Sequence, residues 1–149
     1  MTKSAPQDLS ILAESKHGLL YLTANDWALI VDKAKRINFK AGDLLVQRGK
    51  PSNGIFLILK GNAKVQILQG KAPTIKPGEI CGELSFLDEL PASADVVAEE
   101  ATEAYFIDGP TLNSTFELFP HLASRFYRSV AMNLSRRLRE MIEMKSGPS

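Results

Sequence analysis

The sequence predicts a mainly β fold with flanking helices, in the form of a β-sandwich or a barrel-like roll. Between residues 42 and 82, glycines recur at fairly regular spacing and separate short apolar runs. This pattern is typical of many short strands joined by tight turns. Helical patterns precede and follow this region. The chain of 149 residues is long enough for one domain with its own core.

The first predicted helix begins near Thr23. Thr23 followed by Asp26 is close to a capping box, with Asp in place of the usual Glu or Gln. We expect Trp27 on this helix to pack between the helix and the roll. The helix is predicted to run through Ile30 and Val31 and to carry three cations in its last turn, where they suit the helix dipole. These cations are Lys33, Lys35 and Arg36.

Five segments are predicted to be strands because they combine apolar or alternating residues with turn residues on both sides. They are residues 43–47, 54–59, 63–68, 94–98 and 103–107. The third alternates, with Val65 and Ile67 on one face and Lys64 and Gln66 on the other.

A long helix is predicted from Pro120, which fits a first turn, to about Lys145. At 1.5 Å per residue its length is roughly 40 Å. One apolar stripe should lie against the roll: Leu122, Phe126 and Val130. A second stripe follows heptad spacing and is a candidate dimer seam. It comprises Tyr127, Ala131, Leu134, Leu138 and Met141.

Composition excludes several classes of protein. The N-terminus lacks the apolar stretch of a signal peptide, and the longest apolar runs are too short to span a bilayer, so we expect a cytoplasmic protein that does not bind membranes. The one cysteine, Cys81, forms no internal disulfide and is expected to be a small buried core residue. His17 and His121 show no metal-ligand spacing, and no catalytic or metal motif is present. An enzyme is therefore not expected.

Charge is unevenly distributed. Net charge is +1, but residues 119–145 carry six Lys or Arg and only two Glu. A DNA-facing stripe and a solvated helix face both fit this run, and we favour the solvated face. Direct binding to DNA is not expected.

Residues 80–96, ICGELSFLDELPASADV, carry the strongest motif of the chain. The stretch resembles the phosphate-binding cassette of cyclic nucleotide-binding domains, the sensor modules of catabolite-activator-type regulators and of protein kinase A regulatory subunits. Further similar segments occur in family order. They are residues 39–45, 49–61 and 76–79, and Arg136-Arg137-Leu138 in the final helix.

This resemblance implies a double-stranded β-helix, that is, a jelly-roll-like β-roll, with an N-terminal helix, a C-terminal hinge helix and a long final helix. The roll would occupy about residues 37–108 and the C-terminal helices about 110–145, within a domain of residues 19–145. Residues 1–18 would form a tail, of which 1–6 look flexible, and a candidate short helix. Residues 146–149 would form a second tail.

The resemblance also implies a ligand site in the cassette. Glu83 would accept a hydrogen bond from a ribose 2′-hydroxyl, and backbone N–H groups of Leu84 and Ser85 would face the phosphate at a helix N-terminus. Ser93 would add an N–H and a hydroxyl. The predicted ligand residues are Gly82, Glu83, Leu84, Ser85, Ala92, Ser93 and Ala94.

The cassette departs from the family at two positions. Ala92 stands where the family has an arginine that pairs with the phosphate, and losing such a partner costs about 2–5 kcal/mol, or roughly thirty- to several-thousand-fold in affinity. Asp95 replaces a small hydroxyl residue and would repel a phosphate if it points inward. Candidate substitute phosphate contacts, or else plain surface residues, are Arg48, Lys50 and Lys40.

The final helix of the family often covers the base. When Arg136-Arg137-Leu138 is aligned with the family's final helix, the side chains that would cover the base, a candidate base lid, are Met141 and Ile142. These two residues fit a dimer seam equally well.

The function expected from these features is a non-enzymatic regulatory sensor. It would bind cAMP or cGMP without any cofactor and relay binding through its C-terminal helix to a homodimer contact or a protein effector. Alternatives are a degenerate fold that serves as a dimerisation or interaction module, and a site for a different ligand such as a cyclic dinucleotide. A transcription factor is disfavoured by length, so we expect a stand-alone sensor or a fragment of a larger protein.

Overall fold

The computed structural model describes residues 6–67 and 72–146. Within these residues, two four-stranded antiparallel sheets form a β-roll with helices before and after it. The strands are β1 Lys35–Phe39, β2 Leu44–Val46, β3 Gly54–Lys60, β4 Ala63–Gln66, β5 Thr74–Ile75, β6 Ile80–Cys81, β7 Asp95–Ala98 and β8 Thr102–Asp108. The helices are α1 Pro6–Glu14, α2 Ala24–Lys33, α3 Glu83–Asp88, α4 Gly109–Leu118 and α5 Pro120–Ser146. The predicted fold class is confirmed.

The strand order is β1-β8-β3-β6 in the first sheet and β2-β7-β4-β5 in the second. Strand β3 is buried on both faces, which explains its unbroken apolar run. Ile55, Leu57 and Leu59 face a core shared with the helices, while Phe56 and Ile58 face the space between the sheets. The first sheet is therefore the middle layer of the molecule.

Helix α2 begins with the predicted capping box. The Asp26 N–H donates to Thr23 Oγ1 at 3.1 Å, and the Thr23 N–H donates to Asp26 Oδ2 at 3.0 Å. Trp27 is buried, as expected. The predicted last turn is wrong for Lys35 and Arg36, because the chain becomes extended at the fully buried Ala34 and both residues lie on β1.

Three strands were not predicted. Strand β1 is mostly exposed, and β5 and β6 have two residues each, too few for any periodicity. The predicted third strand is shorter than expected, since β4 ends at Gln66 and Ile67 beyond it is 44% exposed. Leu68, at the end of that prediction, lies outside the described residues.

The C-terminal helices cover the first sheet. Asp108 caps α4 by accepting from the Thr111 N–H at 2.9 Å, and α5 begins at the predicted Pro120. The inner stripe of α5 is confirmed, with Leu122, Phe126 and Val130 all 2% exposed or less. The second stripe lies largely in solvent: Tyr127, Leu138 and Met141 are 42%, 58% and 56% exposed.

Arginines on α5 attach the helix to the rest of the domain. Arg125 binds both carboxylate oxygens of Asp26, and the guanidinium of Arg128 lies 4.0 Å from the ring centroid of Tyr21. Much of the basic run therefore serves intramolecular contacts. No described helix is both long enough and apolar enough to cross a membrane.

Candidate functional site

The predicted cassette folds as a strand, a tight turn and a short helix. Strand β6 pairs with β3, and Gly82 then takes a left-handed conformation (φ 86°) before α3. A Cβ at Gly82 would lie 2.8 Å from the Gly54 carbonyl oxygen, closer than Cβ atoms come to other heavy atoms. Ser52 Oγ donates to the Gly82 carbonyl at 3.3 Å. This turn therefore requires glycine.

The chain that returns from α3 is pinned to the turn after β2. The Ala92 N–H donates to the Lys50 carbonyl at 3.0 Å, and the Gly49 N–H donates to the Ala92 carbonyl at 2.9 Å. The backbone N–H of Ala92 is thereby occupied and is not available to a ligand. These two bonds fix Ala92 at the wall of the cassette.

A cavity of about 210 Å³ lies between α3, the returning chain and the second sheet, and we call it the cassette cavity. It brings together every residue of the predicted ligand set. They are Gly82, Glu83, Leu84, Ser85, Ala92, Ser93 and Ala94. Most of the remaining wall is apolar, with Val46, Val65, Ile75 and Val96 among its residues. A largely apolar cavity with a few polar groups is typical of small-molecule sites.

Glu83 is the central polar group of the cassette cavity. Its side chain is 7% exposed and accepts a hydrogen bond from Arg137 Nη1 of α5 at 3.1 Å. Burial raises the pKa of the Glu83 carboxyl, and the guanidinium of Arg137 opposes this effect. Arg137 also lines the cavity. Its contact with the cassette was not predicted, although its motif was recognised.

Asp95 points away from the cassette cavity. Its Oδ1 accepts from the Arg48 N–H at 2.6 Å, and both residues line a separate surface groove. The next residue of β7, Val96, points to the opposite face of the strand and lines the cavity. Asp95 therefore does not point inward, and its carboxylate does not face a phosphate bound in the cassette cavity.

The candidate substitute cations do not reach the cassette cavity. Arg48, Lys50 and Lys40 are exposed and do not line it, because their segments place them on the outside of the roll. The candidate base lid is also absent from the wall: Met141 and Ile142 are each 56% exposed, at least one helical turn beyond Arg137. Of the three groups of predicted contacts, only the ligand residues of the cassette line the cavity; the candidate cations and the candidate base lid do not.

Cys81 is buried at the wall of the cavity and belongs to the core between the sheets. Desolvation raises the pKa of its thiol, and the charge of Glu83 raises it further, so the thiolate is disfavoured. In the described parts of the chain, no group of three or more His, Cys, Asp or Glu side chains is placed to hold a metal ion.

Comparison with known proteins identifies the type of domain. The family model for the cyclic nucleotide-binding domain matches residues 36–118, more than half of the chain. Cyclic GMP-binding protein C of Dictyostelium discoideum is 32% identical over an alignment of 132 positions that covers 80% of this chain and 5% of that protein. The chain therefore spans only a small part of this relative.

Solved structures share the fold. A cyclic nucleotide-binding domain from Methylobacillus flagellatus KT superposes with a TM-score of 0.77 at 22% identity, covering 96% of this chain and 84% of that one. The catabolite activator protein of Thermus thermophilus superposes with a TM-score of 0.66 at 28% identity, covering 83% of this chain and 59% of that one.

Proposed function

Because the chain belongs to the cyclic nucleotide-binding domain family, we propose that it is a non-enzymatic sensor that binds cAMP or cGMP in the cassette cavity. The proposed domain comprises residues 19–145, and Leu12 of α1 packs into its core. The observation that carries the proposal is the buried carboxylate of Glu83 at the wall of an otherwise largely apolar cavity. Such a carboxylate is a strong acceptor for a sugar hydroxyl.

The sugar and base end of the ligand supplies most of the binding energy in this proposal. Ala92 offers no charge to a phosphate, and its backbone N–H is already bonded to Lys50. Leu84, Ser85 and Ser93 contribute the remaining polar contacts from the cavity wall. Cyclic nucleotides are therefore expected to bind more weakly than they would with an arginine at position 92.

Titration calorimetry with cAMP and cGMP tests the proposal. Ala92→Arg should tighten binding roughly thirty-fold or more, since a buried charged pair is worth about 2–5 kcal/mol. Ala41→Arg adds the same charge on an exposed turn outside the cavity wall and should leave the affinity unchanged. If neither the wild type nor Ala92→Arg binds, while both are folded by circular dichroism, the proposal is wrong.

A relay through α5 is the output of this sensor. Phe86 of α3 packs against Phe116 and Phe126, with ring centroids 6.3 and 6.0 Å away, and Arg137 binds Glu83. A ligand at Glu83 therefore acts at the junction of α3 and α5. It can shift the equilibrium between two positions of α5 only by the difference between its affinities for them.

The exposed stripe of α5 favours a second function. Leu138, Met141 and Ile142 are each more than half exposed, and a second copy of the chain would bury them. The domain would then be a dimerisation or effector-binding module whose pocket has lost its ligand. Sedimentation velocity at 1–100 µM, roughly the range of such contacts, should show a dimer that Leu138→Glu dissociates. A monomer throughout argues against this role.

A different ligand, such as a cyclic dinucleotide, is the remaining alternative. Mass spectrometry of small molecules released from the purified protein by heat distinguishes it from an empty, decayed pocket.

A further inference from the structure

We propose that a surface groove between α3 and α4 is a docking site for an extended, cationic segment of a partner protein that carries an apolar anchor side chain. The inference goes beyond the proposed function and does not depend on nucleotide binding. It follows from the residues that line the groove, from the backbone conformation of two of them and from the charges at its rim.

The groove, which we call the α3–α4 groove, has a volume of about 510 Å³. It is bordered by the turn before β3, the end of α3 and the first turns of α4. Its apolar wall includes Pro51, Phe86, Leu90 and Pro110. Leu90 is 60% exposed, so an apolar side chain of a partner has a surface to cover there. Such desolvated apolar contacts supply most of the affinity of docking sites.

Two residues of the groove hold a backbone conformation that most side chains disfavour. Asn53 has a φ of 62°, and Glu89, the C-cap of α3, has a φ of 59°. Within the described residues, these are the only residues other than glycine with positive φ, and both line the groove. Asparagine tolerates this region, whereas glutamate rarely adopts it and glycine is the usual residue at such a helix end. A carboxylate is therefore held here against local strain, which is typical of functional positions.

The N-terminus of α4, which borders the groove, does not suit an anion. The Gly109 N–H donates to the Asn53 carbonyl at 2.8 Å, and Pro110 has no N–H. The Thr111 N–H donates to the N-cap carboxylate of Asp108 at 2.9 Å. The first three residues of the helix therefore offer no free N–H group, and a carboxylate already lies at the positive end of the helix dipole.

The charge of the groove favours a cation. Among the described residues of its wall, the charged side chains are Glu89 and Asp108, and neither forms an ion pair with another described residue. The hydrogen bonds from Thr111 lower the pKa of the Asp108 carboxyl, so it is ionised at neutral pH. Both carboxylates are at least partly exposed. In that position, complementary charge steers and orients a partner and adds little affinity of its own.

Together these features describe one kind of occupant. Arginine or lysine side chains of the segment would lie near the two carboxylates, and the exposed amide side chains of Asn53 and Asn113 would bind its backbone. An apolar side chain between the cations would cover Leu90. Ser85 and Leu90 line both the groove and the cassette cavity, so the docked segment would contact the cavity wall from outside.

Fluorescence anisotropy on the full chain tests the inference with a labelled, C-terminally amidated pentapeptide in which arginine and leucine alternate. This arginine–leucine peptide should bind with a dissociation constant below about 200 µM, and a glutamate–leucine peptide should bind at least about tenfold more weakly. An arginine–glycine peptide should also bind about tenfold more weakly, because it lacks the apolar side chain that covers Leu90.

Variants of the groove locate the bound peptide. Glu89→Gln should weaken the arginine–leucine peptide about two- to fivefold, the range of an exposed charge pair. Leu90→Ala should weaken it at least about fivefold, because apolar contact is lost. Glu99→Gln and Leu118→Ala make the same changes at exposed residues outside the groove and should leave the affinity unchanged.

Glu89→Gly separates a docking role from a structural one. Because glycine adopts positive φ without strain, this variant should raise the midpoint of urea unfolding while it weakens the peptide at least as much as Glu89→Gln does. Glu99→Gly, at a residue whose φ is not positive, should not raise the midpoint. A lower midpoint for Glu89→Gly would contradict the strain at this residue.

Three results would overturn the inference. One is a glutamate–leucine or arginine–glycine peptide that binds as tightly as the arginine–leucine peptide. The second is binding that neither Glu89→Gln nor Leu90→Ala weakens, which would place the peptide elsewhere on the molecule. The third is a wild type that binds no peptide at up to about 1 mM. All peptide measurements are made without nucleotide, so their failure leaves the proposed function standing, and a failure of nucleotide binding leaves the docking site standing.

Discussion

Asp26 joins two parts of the sequence that lie far apart. It caps α2 through Thr23, and it receives Arg125 Nε at 2.6 Å and Nη2 at 2.9 Å from α5. The hydrogen bonds from Arg125 are the largest influence that lowers the pKa of the Asp26 carboxyl. Its side chain is 3% exposed, so the carboxylate depends on these partners for its stability.

Asp26→Asn should lower the free energy of unfolding by about 2–4 kcal/mol at pH 7, since charged hydrogen bonds and a buried ion pair are lost. The folded-state pKa is lowered, so the contribution is present above the ordinary Asp pKa and disappears as pH falls through the lowered value. Urea unfolding at pH 7 and at about pH 3 measures both effects. Asp32→Asn, at a side chain 75% exposed on the same helix, is the control. Equal losses in the two variants would contradict the assignment.

Glu83 should show the opposite dependence on pH. Burial raises the pKa of its carboxyl above the ordinary value of about 4.3. Its contribution to stability is therefore complete below that pH and decreases as pH rises through the raised pKa. The free energy of unfolding of the wild type, minus that of Glu83→Gln, should fall as pH rises above that ordinary value.

Urea unfolding at a series of pH values gives that difference. Glu89→Gln, at an exposed residue that ends the same helix, should give a nearly constant difference. A difference for Glu83 that grows with pH would mean that Arg137 outweighs the cost of burial.

The two faces of α5 should differ sharply in their effect on stability. Phe126 is fully buried and packs against Phe86 and Phe116, whereas Leu138 is 58% exposed. Phe126→Ala should cost about 3–5 kcal/mol, because it opens a cavity in the helix-side core. Leu138→Ala should cost less than about 0.5 kcal/mol. Urea unfolding at two protein concentrations checks both values, and a concentration-dependent loss for Leu138→Ala would instead reveal a dimer contact.

Elements defined by neighbouring residues were predictable from the sequence. The capping box of α2 needs only Thr23 and Asp26, and the inner stripe of α5 follows from helical periodicity. Strand β1 was missed because its cations resemble a helix end and because its partner, β8, lies some 65 residues away. Strands β5 and β6 have two residues each and exist through their pairing with β4 and β3.

The same distinction applies to the site. The predicted ligand residues are close in sequence, so one motif supplied all seven of them, and each lines the cavity. Other residues of the wall come from strands β2, β4 and β5, outside the motif. Arg137 reaches Glu83 across 54 residues, and its contact depends on how α5 turns against α3. The placement of Met141, Ile142 and Arg48 depended on the same tertiary geometry, which the motif does not contain.

On the scale of the whole molecule, α3 connects the roll to the C-terminal helices. It follows β6 directly, and its Phe86 lies against the aromatic side chains of α4 and α5. The Arg137–Glu83 pair is the polar part of this connection and lies at the wall of the cassette cavity. A ligand that contacts Glu83 would therefore act, through Arg137, on the outer half of α5.

Hydrogen exchange by mass spectrometry measures this coupling. In the wild type, saturating cAMP should change amide protection in α5 beyond Arg137, because a ligand on Glu83 alters how strongly that arginine holds the helix. Arg137→Gln should weaken or abolish the change in α5 while protection at the cassette persists. Arg136→Gln is the matched control, since Arg136 binds Glu140 on its own helix at 3.5 Å. An equal change in α5 in all three proteins would show that α5 senses the ligand through the aromatic contacts of Phe86 and not through Arg137. No change in any of them would show that α5 does not sense the ligand. In the first case, the change should be lost in Phe86→Leu.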